Sequence, residues 1–462
     1  MTNKTTRRSF PGPAALFLVL AGGSTWLAAG CAAPAADAPG FRTSRLEIEV
    51  SGLPAGAEVP FSLPIDLGSG PDERTIRLLR DGRDVPLQFS ASAQPRPKER
   101  RLLPGTPPAT SLSAEYAAGE LAPVRVAGDL AWAARNGTYR LEFGVPLAGR
   151  QVQVPFPPQN LRGFDEENRA TPVRHFPRMQ VRPQWPLEGA VHVSDLGSPF
   201  TSLHLSARRP YLYPVIGPDG IALTEVGKPH DPTGSHAHHY SLWVAHNSVG
   251  GKDFWSERGG TIVHEGFDLM EDGPVFARLV QRTRWSADER PVLRERRTLT
   301  FHATPEAYRL IDVDLELSAP AQEAVVVGKS TFGFLAVRVA QSMTVFDGGG
   351  EIRNAEGARN ERDVHLRKSR WIDLSGPVAP GKRGGVAILD HPSNPNHPTA
   401  WHCRDDGWAG ASAAAEGPIS IAPGKPLRLR YRVVLHRGDA VAGEVARRFE
   451  EFAAPASARV VR

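Results

Sequence analysis

The feature that most constrains the fold is an alternation of apolar and charged residues in the second half of the chain. Residues 311–317 alternate Ile, Val and Leu with Asp and Glu, and residues 427–432 alternate Leu and Tyr with Arg. A period of two puts every second side chain on one face of a β-strand, which is typical of antiparallel sheets with one solvated face. The 42 prolines and 45 glycines favour short strands joined by turns, so the sequence predicts an all-β protein.

Length and turn signals predict two domains. A chain of 462 residues is longer than one small core requires. Asp81-Gly82 and Asn136-Gly137 each separate two strand-like runs, and both predict β-hairpins. Only residues 443–453 have helical spacing. The predicted units are a small N-terminal β-sandwich (41–150), a proline-rich connector (151–190) and a large antiparallel β domain (191–455).

The N-terminus has the pattern of an export signal. Residues 6–10 read Thr-Arg-Arg-Ser-Phe, which matches the twin-arginine motif, and an apolar run at 14–21 leads into Cys31. We therefore expect residues 1–30 to be a signal peptide of the lipoprotein type and Cys31 to be lipidated. Residues 31–40 would then form a tether. The expected location is exported, as a periplasmic or outer-membrane lipoprotein.

The charge of the chain gives little support for a nucleic-acid partner. Removal of residues 1–30 deletes Lys4, Arg7 and Arg8, which lowers Lys plus Arg from 55 to 52 against 50 acidic residues. No apolar run after residue 40 is long enough for a membrane-spanning helix. We therefore expect membrane contact through the lipid anchor only, and no nucleic-acid binding.

The histidines are concentrated in two short segments. Nine of the fifteen histidines lie in residues 230–264 and 391–402, and tryptophans accompany them in both segments. Chance placement would not concentrate them in this way. We expect the fold to bring the two segments together as one polar site lined by aromatic rings.

Two chemistries are open for the first segment. His236 and His238 are two residues apart, so on a strand they share one face and could bind a divalent metal together with a carboxylate. Alternatively, histidines act as general acid or base beside a carboxylate. The candidate catalytic residues are His238, His239, His264, Asp253 and Glu265. The cofactor is accordingly none or a divalent metal.

The aromatic residues near these histidines favour a sugar ligand. Ring faces stack against the C–H faces of sugars, while nearby polar groups bind the hydroxyls. Arg209 could bind an anionic group of the substrate or form a structural ion pair. Trp243 could equally belong to a core strand. The candidate substrate-binding residues are Arg209, Tyr211, Trp243, Trp255, His391, Trp401 and His402.

Several ordered motifs between residues 190 and 440 resemble the PmoA-like family, a bacterial family of unknown function often labelled methane oxygenase PmoA. The motifs are Arg209-Pro-Tyr, Gly217-Pro-x-Gly220, His238 to Trp243, Asp253-Phe-Trp255, Gly260-x-Ile-x-His264 and Asp390-His-Pro-x-Asn394-Pro. Methane oxygenase activity is not expected, because that enzyme is built from transmembrane helices. The strand pattern is similar to the galactose-mutarotase type of β-supersandwich, which the resemblance associates with carbohydrate-active enzymes.

These observations lead to one main hypothesis and two alternatives. The main hypothesis is an exported, lipid-anchored glycan hydrolase or lyase that uses histidine and carboxylate acid–base chemistry on a carbohydrate substrate. The alternatives are a glycan-binding lipoprotein without catalysis and a metalloprotein with His236 and His238 as ligands.

Overall fold

The computed structural model describes residues 41–69, 71–91, 125–146, 178–184, 189–206, 208–228, 233–234, 236–454 and 456–461. The twin-arginine pattern, Cys31, the predicted tether and most of the predicted connector lie outside these residues. Within them, no helix is long and apolar enough to cross a membrane.

The N-terminal unit is a small sandwich of two sheets. Its strands are β1 (Phe41–Ser51), β2 (Val59–Ser69), β3 (Asp72–Arg80), β4 (Arg83–Val85), β5 (Leu87–Ala91), β6 (Arg125–Ala134) and β7 (Gly137–Pro146). One sheet has the order β2-β6-β5, and the other contains β1, β7, β3 and β4 together with the last strand of the chain. Trp132 and Tyr139 pack edge to face between the sheets, with ring centroids 5.6 Å apart.

The two predicted hairpins of this unit have different outcomes. The Asp81-Gly82 hairpin is confirmed, because Leu78 pairs with Val85 across it. The Asn136-Gly137 hairpin is wrong, since β6 pairs with β2 and β5 whereas β7 pairs with β1 and β3. The side chain of Asn136 binds the backbone N–H and carbonyl of Leu53, at 3.0 and 2.8 Å. The turn therefore passes the chain from one sheet to the other.

The remaining described elements form the second unit, apart from β26, which belongs to the N-terminal sheet. They are β8 (Met179–Pro183), β9 (Ala190–Asp195), β10 (Ser198–His204), β11 (Tyr211–Leu212), β12 (Leu242–Val244), β13 (Thr261–Glu271), β14 (Phe276–Ala287), β15 (Arg290–His302), β16 (Tyr308–Ser318), β17 (Val325–Val327), β18 (Leu335–Arg338), a 3₁₀ turn (Gln341–Met343), β19 (Glu351–Asn354), α1 (Asn360–Val364), β20 (Trp371–Ala379), β21 (Lys382–Asp390), β22 (Ala400–Arg404), β23 (Trp408–Ser412), β24 (Ile419–Ile421), β25 (Leu427–Arg437), α2 (Val445–Ala453) and β26 (Ser457–Val461).

Two eight-stranded sheets form the body of this unit. The front sheet has the order β22-β23-β18-β12-β11-β10-β9-β8, and the back sheet has the order β13-β14-β15-β16-β25-β21-β20-β19. Alternate apolar residues of the two sheets pack against each other in one large core. Leu242 and Val337 contribute from the front sheet, and Leu299, Val313 and Val433 from the back sheet.

The other face of the front sheet carries aromatic and polar side chains. Residues that pair directly across antiparallel strands point to the same face. One such row runs through His204, Tyr211, Trp243, Ala336, Gly410 and His402. Because Leu242 and Val337 point into the core, this row faces away from it. The row is the platform of the candidate site.

The all-β prediction is confirmed, with a small N-terminal sandwich followed by larger antiparallel sheets. The predicted helix is also confirmed as α2, which buries Val445, Phe449 and Phe452. β8 lies within the predicted connector and pairs with β9, and β26 pairs with β1. The predicted domain limits stay a prediction.

Candidate functional site

The two histidine-bearing segments meet on the outer face of the front sheet. Six rings form what we call the histidine–tryptophan cluster: His239, Trp243, Trp255, Phe332, His402 and Trp408. The ring of His239 is 5.3 Å from that of Trp243 and 5.0 Å from that of Trp408. The ring of Phe332 lies between those of Trp255 and His402, at centroid distances of 5.5 and 4.7 Å. The expected convergence of the two segments therefore occurs, although its membership differs from the prediction.

Strand alternation explains which residues reach the cluster. Trp243 points outward between two core residues of β12, and His402 and Trp408 point outward from the β22–β23 pair. Ala336 and Gly410 lie between them in the row, and these small residues leave room above the sheet for the larger rings. His239 and Trp255 enter from the segments that precede and follow β12. The tryptophans of the cluster are buried.

The predicted strand geometry of His236 and His238 is wrong, because residues 236–238 form a turn. The backbone N–H of His239 donates to the carbonyl of His236, at 3.0 Å. Both rings therefore lie near the ring of His239, at 5.1 and 4.6 Å, instead of side by side on one face. Across the described ranges, no group of three or more His, Cys, Asp or Glu side chains is arranged to hold a metal ion.

Arg338 defines the protonation pattern of His239. Its Nη1 lies 3.1 Å from Nδ1 of His239, and a guanidinium can only donate. The Nδ1 atom is therefore the acceptor, and the neutral ring carries its proton on Nε2. Arg338 also donates to the carbonyl of Asp406 and lies 3.5 Å from a carboxylate oxygen of Glu225.

Burial keeps the histidines of this region neutral. Burial and the charges of Arg209 and His236 lower the pKa of His238 to about 4. Burial lowers the pKa of His239 well below its usual value, and burial with the neighbouring His365 lowers that of His402 to about 3. At neutral pH these rings are hydrogen-bonding groups without charge. His238 is half-buried.

Beside His238, a buried ion pair includes the predicted substrate residue Arg209. Its Nε donates to Glu257, at 3.1 Å, and its Nη2 donates to the carbonyl of Trp255, at 2.6 Å. The hydroxyl of Tyr240 donates to the other oxygen of Glu257, at 3.4 Å, and burial raises the pKa of Tyr240 to about 12. Tyr211 packs against Tyr240 with ring centroids 4.8 Å apart. Arg209 therefore forms an ion pair at the edge of the cluster, and its contact with a substrate stays a prediction.

The predicted carboxylates are occupied by other contacts. One oxygen of Asp253 accepts the backbone N–H groups of Trp255 and Ser256, and the other accepts the hydroxyl of Ser256. Asp253 thus stabilises the turn that delivers Trp255 to the cluster. Glu265 forms an ion pair with Arg284, at 2.9 Å, on the back sheet.

Three other predicted residues lie away from the cluster. The Nδ1 of His264 is 2.9 Å from Gln281 on the back sheet. The indole N–H of Trp401 donates to Ser369, because Trp401 and His402 are adjacent on β22 and face opposite sides. The ring of His391 is 4.9 Å from that of Phe452 on α2.

Several residues of the site were missed from the sequence. They are Trp408, Phe332, His365, Arg338, Glu257 and Asp406. Trp408 follows the second histidine segment by a few residues and pairs with it in a hairpin, so its proximity could have been inferred. Phe332 and Arg338 come from a part of the chain with no histidine signal. Only the sheet order brings them to the cluster.

Comparison with solved structures finds distant similarity. A glycosyl hydrolase family 38 protein from Enterococcus faecalis is 9% identical over 90% of this chain and 47% of its own, with a TM-score of 0.37. A 4-alpha-glucanotransferase from Thermococcus litoralis is 10% identical over 57% of this chain and 40% of its own, with a TM-score of 0.25. An aldose epimerase homologue from C. elegans is 10% identical over 55% of this chain and 97% of its own, with a TM-score of 0.24. The chain thus spans less than half of the first two proteins.

Comparison by sequence identifies the family. No curated protein matches the chain. Residues 190–450 match a family of unknown function, DUF6807, and these residues include both eight-stranded sheets except β8. The resemblance to the PmoA-like family is therefore wrong, because the motifs that suggested it lie within the DUF6807 match. The chain belongs to the DUF6807 family.

Proposed function

We propose that the histidine–tryptophan cluster binds a carbohydrate and that the protein is a carbohydrate-active enzyme, either a hydrolase or a lyase. The observation that carries this proposal is the position of His238. This half-buried, neutral imidazole has no hydrogen-bond partner among the described residues, and its ring packs 4.6 Å from His239 at the edge of a floor of aromatic rings.

The composition of the cluster supports a sugar ligand. Phe332 is half-buried and offers a ring face, and the buried rings of Trp255 and Trp408 pack against it at centroid distances of 5.5 and 6.1 Å. Half-buried polar side chains, His236 and Tyr240, lie at its edge. Sugars require both kinds of contact, since their C–H faces stack on rings and their hydroxyls need hydrogen-bond partners.

The electrostatics of the same region support a proton-transfer step. With a pKa near 4, His238 is a free base at neutral pH, whereas Tyr240 keeps its proton. Both lie beside Arg209, whose charge acts on His238 and whose guanidinium carbon is 5.5 Å from the ring centre of Tyr240. The neutral imidazole can accept a hydrogen bond from a substrate and the phenol can donate one, which is the starting arrangement for proton transfer. Asp253 contributes through its charge, because hydrogen bonds occupy both of its oxygens.

The test is turnover of a glycan panel by the wild type and by His238→Gln. We expect the wild type to release reducing or unsaturated ends, and the variant to lose about a hundredfold or more of that activity. His391→Gln is the matched control, because burial lowers its pKa to about 4 as well but it lies away from the cluster. Unchanged turnover in His238→Gln would contradict the catalytic role. Binding without product would identify a glycan-binding protein.

We also propose that the protein is exported and anchored through Cys31. The support is the order of the twin-arginine pattern, the apolar run and the cysteine in the sequence. Labelling with an alkyne-tagged fatty acid in the bacterial host should mark the wild type and not Cys31→Ser. Cys403→Ser is the control, because the Cys403 thiol is buried. Equal labelling of Cys31→Ser would contradict the proposal.

A further inference from the structure

Three buried N–H donors of the site have no acceptor among the described residues. They are Nη1 of Arg209 and the indole nitrogens of Trp243 and Trp255. Arg209 and Trp243 are 1% exposed and Trp255 is 3% exposed, so bulk solvent does not reach these side chains. Buried donors without acceptors are rare, because each loses its hydrogen bonds to water without replacement.

The three donors belong to one group of contacting side chains. The rings of Trp243 and Trp255 are 5.4 Å apart, and Nη2 of Arg209 donates to the carbonyl of Trp255. His239 stacks on Trp243 and adds a fourth donor, since Arg338 occupies its Nδ1 and leaves the proton on Nε2. The half-buried ring of His238 lies 4.6 Å from that of His239 and is the more solvent-exposed of the two.

Two carboxylates near these donors already have partners. Glu257 accepts from Arg209 and Tyr240, and Asp253 accepts from its own turn. Oδ2 of Asp406 lies 3.7 Å from Arg338 and 3.8 Å from Lys228, whereas its Oδ1 is buried and has no hydrogen-bond partner among the described residues. Arg209, Trp243 and Trp255 therefore keep N–H groups that Glu257 and Asp253 do not accept, and an oxygen-rich anion could accept them.

Two positively charged side chains near the group have no ion-pair partner. Arg208 and Arg258 are exposed and form no ion pair within the described part of the chain. Arg208 directly precedes Arg209, and Arg258 is close enough to act electrostatically on His238. Unpaired guanidinium groups near such donors attract carboxylate and sulfate groups.

We propose that the sugar bound at this site is acidic and carries a carboxylate or sulfate that accepts hydrogen bonds from Arg209, Trp243, Trp255 and His239. This inference rests on the proposed carbohydrate function and specifies its substrate class. Carboxylate and sulfate are both oxygen-rich anions that accept hydrogen bonds, so the donors alone do not distinguish them. The experiment below compares the two groups.

A glycan array with neutral, uronate-containing and sulfated chains tests the proposal. We expect binding to be confined to one of the two acidic groups. The best-bound glycan is then compared by calorimetry with its carboxyl-reduced or desulfated form, which we expect to bind about tenfold or more weakly. Equal affinity for the two forms overturns the acidic class and leaves the carbohydrate function standing. Binding to no glycan overturns both.

Variants assign the contact. Arg209→Lys keeps the positive charge but loses the planar guanidinium group that can donate two parallel hydrogen bonds. We therefore expect this variant to bind the acidic glycan and its neutralised form with nearly equal affinity. Arg258→Gln should also reduce the difference in affinity between the acidic and the neutralised glycan, and make that difference depend less on salt. If Arg209→Lys melts at a lower temperature than the wild type, Arg258→Gln replaces it as the test variant. Arg428→Gln is the control, because it removes one positive charge on the back sheet, where Arg428 pairs with Glu316 at 2.9 Å. If both test variants keep the wild-type difference in affinity between the acidic and the neutralised glycan, the proposal is overturned.

Discussion

Arg338 donates a hydrogen bond to Nδ1 of His239 across 3.1 Å, and both side chains are buried. The two residues lie 99 positions apart in the sequence. Arg338 is held in turn by the carbonyl of Asp406 and by the charge of Glu225. The orientation of the histidine at the centre of the cluster therefore depends on three segments of the chain.

This contact predicts opposite tautomers for two histidines of one cluster. His239 should carry its proton on Nε2, whereas His402 should carry it on Nδ1, which lies 3.3 Å from the carbonyl of Thr331. Nitrogen chemical shifts of ¹⁵N-histidine-labelled protein distinguish the two forms. We expect both rings to stay neutral from pH 8 to pH 5, because the pKa of each is lowered. A charged His239 ring, or a proton on its Nδ1, would refute the assignment.

Acid should destabilise the fold through His246. This side chain is fully buried and accepts the N–H of Ser248 at 3.0 Å, and burial lowers its pKa to about 4. The unfolded chain has a histidine pKa of about 6.5, so it binds more protons between those two values. Stability from this residue is therefore present above pH 6.5 and is lost as the pH falls toward 4, by about 3 kcal/mol at most.

The measurement is urea unfolding of wild type and His246→Asn at pH 7 and pH 4.5. Asparagine can accept the same N–H without taking up a proton. We expect the variant to lose less stability between the two pH values than the wild type by about 2 kcal/mol. Equal losses in the two proteins would show that His246 does not contribute to acid unfolding.

A second buried histidine should behave in the opposite way. Nε2 of His436 lies 2.7 Å from Oδ1 of Asp373, and both side chains are 0% exposed. Burial lowers the pKa of His436, but the charge and hydrogen bond of Asp373 more than offset this, so the net pKa is raised. Its contribution to stability is thus complete below about pH 6.5 and is lost as the pH rises through the folded-state pKa.

Removal of one partner of this pair should be costly. We expect His436→Ala to lower the free energy of unfolding by about 3 to 5 kcal/mol, because it leaves Asp373 buried without a partner. The double variant His436→Leu/Asp373→Leu should recover part of that loss. Arg428→Ala, which breaks an exposed pair with Glu316, should cost less than about 1 kcal/mol. Similar losses for the buried and the exposed pair in denaturant titrations would contradict the expectation.

Much of the fold could be predicted from the sequence, because it depends on local alternation. The predicted strands at 311–317 and 427–432 lie within β16 and β25, and α2 lies within the predicted helix at 443–453. The failure at Asn136-Gly137 has a physical cause, since a tight turn sets the local chain direction but does not determine which sheet the next strand joins. There, the contacts of Asn136 with Leu53 and of Trp132 with Tyr139 favour a change of sheet.

The site was predictable only in part. The density of histidine and tryptophan indicated two segments that meet, but sheet register decides which side chains take part. Trp401 and His402 illustrate this, because adjacent residues on one strand point to opposite faces. Arg338 and Phe332 could not be predicted, since the strand order that brings them to His239 and Trp255 arises from pairings far apart in the chain.

The last strand of the chain should stabilise the first. β26 pairs with β1 from Glu47–Val461 to Ser51–Ser457, and Arg459 forms an ion pair with Glu49. Deletion of residues 457–462 would expose the edge of β1 and remove its backbone hydrogen bonds on that side. We expect amide hydrogen exchange in β1 to accelerate by about tenfold or more, while exchange in β12 and β18 of the front sheet stays unchanged.

The ion pair itself should matter little. Arg459→Ala keeps every backbone bond of β26 and removes only an exposed charge, so we expect a loss below about 1 kcal/mol and unchanged exchange in β1. If the deletion left exchange in β1 unaltered, the pairing would contribute nothing to the N-terminal sandwich. If Arg459→Ala accelerated exchange in β1 as much as the deletion does, the ion pair and not the backbone hydrogen bonds would hold β26 against β1. Comparison of the two variants therefore separates the two contributions.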